Sequence, residues 1–326
     1  MTDRPRKPLI CGSAAFDTIM LFEGRFREHI LPEQLHILNV SFLVPQLRRE
    51  FGGCAGNIAY NLRLLGDDPV PMATVGQDFA PYRDWMERNG LALDHVRVID
   101  SELTAQAFIT TDRDDNQITA FHPGAMQHSH LNRVEDAGKD IVIGIVAPDG
   151  RQGMIEHSQQ FASRGIPFIF DPGQGLPMFD EADLDRFVGH ARWLAVNDYE
   201  WQLLQQKTGL AVRDLTQRVE ALIVTRGNKG SVIYTHDGQL DIPCAKASAV
   251  VDPTGCGDAY RAGLLHGLMH GLDHETCGQI AAVMGALKIE SRGTQNHRAT
   301  PAEIERRIAE SFGDAAAAKA ALTARR

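Results

Sequence analysis

The chain has 326 residues, with 42 acidic and 33 basic side chains and a formal net charge of −9. It therefore offers no broad basic field for nucleic-acid phosphates, and a small molecule is the expected partner. With 43% hydrophobic and 23% charged residues the composition excludes bulk disorder and collagen-like structure, and the length suits one large α/β domain, 1–326, carrying an insertion.

The basic start "MTDRPRK" precedes only the short apolar run "PLICGSAAF", which Asp17 ends before it reaches signal-peptide or membrane-span length. No membrane partner and a cytoplasmic location are expected. "KPLICGSAAFD" reads as a strand with Asp17 at its end, where a carboxylate either accepts from two neighbouring sugar hydroxyls or faces solvent in a turn. "TIMLFEGRF" and "LNVSFLVPQL", about 18–50, break the alternation of strand and helix. In "FGGCAGNIAYNLRLLG" Gly52 and Gly53 let backbone approach a ligand, a helix follows, and Asn57 in its first turn offers donor and acceptor together; a glycine turn with a helix cap explains the same residues. "LTAQAFITTDRDDNQITAFHPG", about 103–122, reads as a hairpin around "DRDDNQ". With 18–50 it is expected to form a small β lid.

The later runs "DIVIGIVAPDG", "IPFIFDPGQG", "RWLAVNDYEWQLL" and "ALIVTRGNKGSVIY" are unbroken apolar strands of the kind a doubly wound parallel sheet buries on both faces. Ligands of such sheets gather beyond the carboxyl ends of the strands, which singles out Asp17, Asp171, Asn197, Glu200, Thr225 and Gly227. Asn197 and Glu200 form either a helix-capping pair or an outer grip on a hydrated magnesium ion. Thr225, Gly227 and Gly230 shape either a loop against a nucleotide or a hairpin turn. No G-x-x-x-x-G-K-[ST] occurs and no G-x-G-x-x-G follows a strand, so a P-loop and a dinucleotide site are excluded.

"VVDPTGCGDAYRAG" is the most specific stretch. If Gly255, Cys256 and Gly257 end a loop and begin a helix, their N–H groups converge where the helix dipole favours an anion, and Asp258 lies within reach of a hydroxyl proton. Asp252, outside the turn, orders the loop or supports a bound cation. The five cysteines lack CxxC or metal-ligand spacing and read as reduced thiols, and "FGDAAAAKAALTARR" reads as a frayed terminal helix or tail.

In combination, "GGCAGN" and "DPTGCGDAYRAG" resemble the two signatures of the ribokinase-like, or PfkB-type, carbohydrate and nucleoside kinases. "NDYE" is similar to the family's N-x-x-E motif and "TRGNKG" to its T-x-G-x-x-G loop, in matching order over about 8–300. The resemblance implies a three-layer α/β/α core with a β lid and ATP-dependent phosphorylation of a primary hydroxyl. It implies Asp258 as catalytic base, Gly255, Cys256 and Gly257 as anion hole, and Asp17, Gly53 and Asn57 as holders of the acceptor's hydroxyls. It further implies Asn197 and Glu200 at the phosphate and Mg²⁺ site, Glu200 through water, and Thr225, Gly227 and Gly230 at ATP.

Cys54 stands where ribokinases usually carry lysine, which weighs against free ribose. Cys256 replaces the usual alanine and brings a thiol, open to oxidation or alkylation, to the phosphoryl site. "AFHPGAM", 120–126, is similar to segments of bacterial and archaeal adenosine or nucleoside kinases, with Phe121 placed either to stack on a purine or to staple the lid to the core. The expected reaction is transfer of the γ-phosphoryl group of Mg·ATP to the 5′-hydroxyl of a nucleoside, adenosine foremost, with a ribokinase- or fructokinase-like sugar kinase as the alternative. "SRGTQNH", 291–297, resembles the family's stretch near the ATP base and a monovalent cation such as K⁺. Monomer and homodimer both occur in such a family.

Overall fold

The computed structural model describes residues 6–30, 39–114, 116–313 and 316–323. Its centre is a nine-stranded sheet. In spatial order the strands are Gly238–Ile242, Ser231–Thr235, Ala221–Thr225, Trp193–Asn197, Phe168–Phe170, Ile141–Val146, Lys7–Cys11, Val70–Gly76 and Val96–Ile99. All pairings are parallel except the two made by the hairpin at the first edge. The chain winds outward in both directions from Lys7–Cys11 and its neighbour Ile141–Val146, which makes their junction the switch point where ligands of open sheets bind.

The unbroken apolar runs are explained by two cores, one on each face. Ile10, Ile145, Ala195 and Ile223 point into a core roofed by the helices Cys54–Leu64 and Cys256–Met269. Their neighbours Leu9, Cys11, Val146, Val196 and Val224 point into a second core under the helices Arg151–Ser163 and Glu181–His190. Each fully buried aliphatic side chain of this kind contributes about 1.5–3 kcal/mol, so both faces are obligatory.

A separate four-stranded sheet holds, in order, Gln46–Gly52, Ala15–Leu21, Ala105–Thr111 and Gln117–His122. Within the 18–50 stretch, residues 31–38 lie outside the described residues, the short helix Phe26–His29 follows the first strand, and 39–44 have no regular structure. One expectation changes here: the core strand ends at Cys11, and Asp17 belongs to the small sheet. The chain breaks at Gly12 and Ser13, whose amides donate to Met72 O and Pro148 O at 3.2 and 3.1 Å.

The C-terminal tail is also better packed than its composition implies. In the helix Ala316–Thr323, Ala318 and Leu322 are buried against the core that also holds Ile304 and Ile308. Among the described residues, no helix is long and apolar enough to cross a membrane.

Candidate active site

The helix Cys256–Met269 begins at Gly255, whose φ of +79° is left-handed. A Cβ at that position would lie 3.0 Å from Thr294 Cγ2, so both conformation and space demand glycine. Asp258 is the third helical residue. Its carboxylate Oδ2 accepts from Asn57 Nδ2 at 2.8 Å, a bond between residues 201 positions apart. Burial pushes the Asp258 pKa up to about 6; Asn57 opposes the shift, Asp171 adds to it, and Arg261 and the Cys54 thiol oppose it. Gly257 and Asp258 have their amides in the first turn, where a helix supplies no acceptor of its own. Cys256 departs from the expected anion hole, because its N–H donates to Pro253 O at 3.1 Å and closes the turn instead. Its thiol is no ready nucleophile either, since burial holds its pKa up at about 11.

Asn57 stands in the first turn of Cys54–Leu64, which starts after Gly53 at φ +84°. A Cβ on Gly53 would meet Ser13 O at 2.6 Å, and one on Gly52 would meet Asp17 Oδ2 at 2.6 Å. The glycine pair therefore lets the loop at 13 and the Asp17 carboxylate close over the helix start. Asp17 faces Glu50 across the antiparallel ladder. Burial first, then Glu50 and Asp252, push its pKa up to about 6.

Arg261, one helical turn beyond Asp258, is buried in a bidentate pair with Asp171 at 3.0 and 3.2 Å and lies 3.9 Å from Glu200. Asn197 and Glu200 form the capping pair that their spacing allows: Asn197 Oδ1 accepts from the Glu200 amide and Glu200 Oε2 from the Asn197 amide, both at 2.8 Å. Thr225 is in register with Asn197 on the neighbouring strand, and the 227–230 loop is a hairpin turn with Gly227 at φ +56° and Gly230 at φ +77°. These residues line the carboxyl end of the sheet as expected. Phe121 is the outlier: it is 53% exposed on the small sheet and takes no part in the network around Asp258.

A family model for pfkB family carbohydrate kinases matches residues 24–301. The chain belongs to that family. Members of the pfkB family are phosphotransferases acting on hydroxyl groups, and the fold is the ribokinase fold. The structure of Burkholderia thailandensis nucleoside kinase in complex with inosine is 54% identical to this chain, covers 94% of it and 99% of itself, and superposes with a TM-score of 0.86. The structure of the same protein in complex with ADP-inosine is 56% identical, covering 94% of this chain and 97% of its own at a TM-score of 0.84. The nucleoside kinase of Methanocaldococcus jannaschii is 34% identical over 272 residues, 83% of this chain and 89% of its own.

Beyond the pfkB motifs, several residues of this site escape a reading of the sequence. Gln295 Nε2 donates to Asn57 Oδ1 at 3.0 Å and to Tyr82 Oη at 2.6 Å, while its Oε1 accepts from Trp85 Nε1 at 2.9 Å. Tyr82 Oη in turn donates to Gly52 O at 2.9 Å. This buried chain fixes the Asn57 amide so that its NH₂ points at Asp258. No local pattern around Tyr82 announces it, and the 291–297 stretch that holds Gln295 resembles one near the ATP base and a cation, not one that orients Asn57. Arg261, by contrast, lies inside the "DPTGCGDAYRAG" motif, three residues after Asp258 and hence on the same helical face.

Magnesium is the metal that the pfkB resemblance implies. Asp171 turns both oxygens to Arg261 and Glu200 gives one to a backbone amide, so these carboxylates suit a grip on coordinated waters better than direct ligation.

Proposed function

We propose that this chain transfers the γ-phosphoryl group of ATP to the 5′-hydroxyl of a nucleoside, adenosine or a related purine nucleoside, leaving ADP. The observation that carries the acceptor is a row on the small sheet. Glu50 pairs with Asp17, Asp17 with Ala107, and Ala107 with Phe121. Directly paired residues share a face of a sheet, and two strand spacings separate Asp17 from Phe121 by roughly 9–10 Å. A carboxylate that accepts ribose hydroxyls and a ring that takes a base thus stand a nucleoside's length apart, with the small Ala107 between them. The nucleoside kinases similar to this chain over most of its length support the same reading.

In this reading the acceptor's hydroxyl gives its proton to Asp258 while its oxygen attacks the γ-phosphorus and the bond to the bridging oxygen breaks. With a pKa of about 6, Asp258 is ionised at neutral pH yet close enough to it to accept a proton. The first-turn amides of Gly257 and Asp258 meet the negative charge of the group in transit. Magnesium, when bound with ATP, supplies charge neutralisation on the phosphates, and Glu200 and Asp171 are the residues that would hold its waters. Arg261 keeps those two carboxylates in place.

The test is ADP release from ATP and Mg²⁺ over a panel of purine and pyrimidine nucleosides, ribose and fructose. Turnover on adenosine or inosine well above that on any free sugar is expected. A preference for ribose or fructose would instead establish the sugar-kinase reading.

A further inference from the structure

Lys288, the penultimate residue of the helix His274–Ile289, has no exposed surface at all. A lysine is rarely buried so completely, and a buried ammonium must be paired or solvated by the protein itself. Its Nζ donates to two backbone carbonyls, Asp252 O at 2.7 Å and Ser291 O at 3.0 Å. These carbonyls belong to the two loops that frame the start of Cys256–Met269. The remaining atoms of Asp252 are committed to the same joint. Its amide and that of Val251 both donate to Ile289 O, at 3.1 and 2.9 Å, and its carboxylate accepts from Thr254 N and Gly293 N, each at 2.9 Å.

Backbone carbonyls converging on a buried positive charge are the arrangement by which proteins replace the hydration shell of potassium. The family resemblance associates the 291–297 stretch with a monovalent cation. Here the carbonyls of Asp252 and Ser291 already face an ammonium supplied by the chain, so this donor set does not fit a free ion. The helix C-terminus adds its own preference for positive charge at that point. Burial holds the Lys288 pKa below the usual lysine value, and the neighbouring Asp252, Cys256 thiol and Glu50 oppose that lowering.

We propose that Lys288 is a positioning residue that serves as a built-in monovalent cation, holding the 250–254 and 291–293 loops so that the start of Cys256–Met269 is presented to the transferring phosphoryl group, and that turnover needs no added potassium. The proposal rests on the kinase reading above for its rate effect, but not for the cation site itself.

The experiment compares the full-length enzyme with Lys288→Ala, which opens room for an ion, and Lys288→Met, which fills that room with an apolar chain. Steady-state rates and thermal melts are recorded in K⁺, NH₄⁺ or tetramethylammonium at constant ionic strength. Wild-type kcat is expected to be the same in all three salts. Lys288→Ala in tetramethylammonium is expected to lose about ten- to a hundredfold in kcat, the effect of leaving buried carbonyls unpaired, with little change in nucleoside KM. NH₄⁺ or K⁺ is expected to restore its rate and raise its Tm, and to do neither for Lys288→Met.

Potassium stimulation of the wild type would overturn the proposal, whether or not the variants fold. So would a folded Lys288→Ala that keeps full activity, or one that neither NH₄⁺ nor K⁺ rescues. If the wild type releases no ADP with any hydroxyl acceptor, the kinase reading has failed. The melts still decide the cation site: a Tm rise with NH₄⁺ confined to Lys288→Ala upholds it, and no rise removes it.

Discussion

The two sheets of this molecule treat the same kind of residue in opposite ways. At the carboxyl end of the large sheet the groups around Asp258 are enclosed: Asp258 is held by Asn57, Arg261 is clasped by Asp171, and Asn57 is aimed by Gln295 and Tyr82. On the small sheet the strand Gln117–His122 is exposed along its whole length, and Phe121 presents its ring to solvent. The contrast amounts to a division of labour. Enclosed charge has preset geometry and shifted pKa, as bond-making requires, whereas an open row can accept a molecule from solution and be covered only when that molecule is bound. Asp17 stands at the seam, on the open sheet but with a pKa pushed up to about 6.

On the enclosed side the largest effect is expected of Asp258→Asn. Turnover should fall by about 10²–10⁴-fold, the usual worth of a positioned base, while ATP affinity by calorimetry and the melting curve stay close to those of the wild type. Near-normal turnover in a folded sample would remove Asp258 from the chemistry. Next in size is Arg261→Met, which leaves Asp171 and Glu200 as buried charges without their partner. Urea unfolding should register a loss of about 3–5 kcal/mol, and a change within error would mean that the pair is not enclosed as described.

The pH profile tests the seam. Asp17 and Asp258 both have pKa values raised to about 6, so each is ionised at pH 7 and neutralised as the pH falls through 6. The logarithm of kcat/KM should therefore drop below pH 6 with a slope near two, and Asp17→Asn should reduce that slope to one. A slope of one in the wild type would leave only one of the two carboxylates essential. The smallest effect is expected on the open side. Phe121→Ala should raise the nucleoside KM by roughly five- to a hundredfold, the loss of about 1–3 kcal/mol of base stacking, with kcat and Tm unmoved. A fall in Tm would show the ring to be a staple for the small sheet.

How legible each feature is in the sequence depends on how local it is. The glycines at 53, 255, 227 and 230 announce themselves because a left-handed backbone or a close approach permits little else. The apolar runs announce a sheet covered on both faces. The place of Asp17 is hidden, since nothing in "CGSAAFD" says that Gly12 and Ser13 break the strand and deliver the next residues to another sheet. Cys256 reads as an anion-hole donor because a helix start leaves its amides free, whereas Pro253 O captures this one. Gln295, Tyr82 and Lys288 are illegible for a deeper reason: their roles consist of contacts with residues distant in the chain or with backbone carbonyls, and neither leaves a periodic trace.

Under the proposed function, the row from Asp17 to Phe121 also sets how selective the enzyme can be. A span between two side chains measures length, and an aromatic face does not tell an amino group from an oxo group on the ring it covers. Discrimination by such a row falls between molecules with and without a base, and much less between one base and another. On that reading the open sheet separates nucleosides from free sugars more sharply than it separates one nucleoside from another.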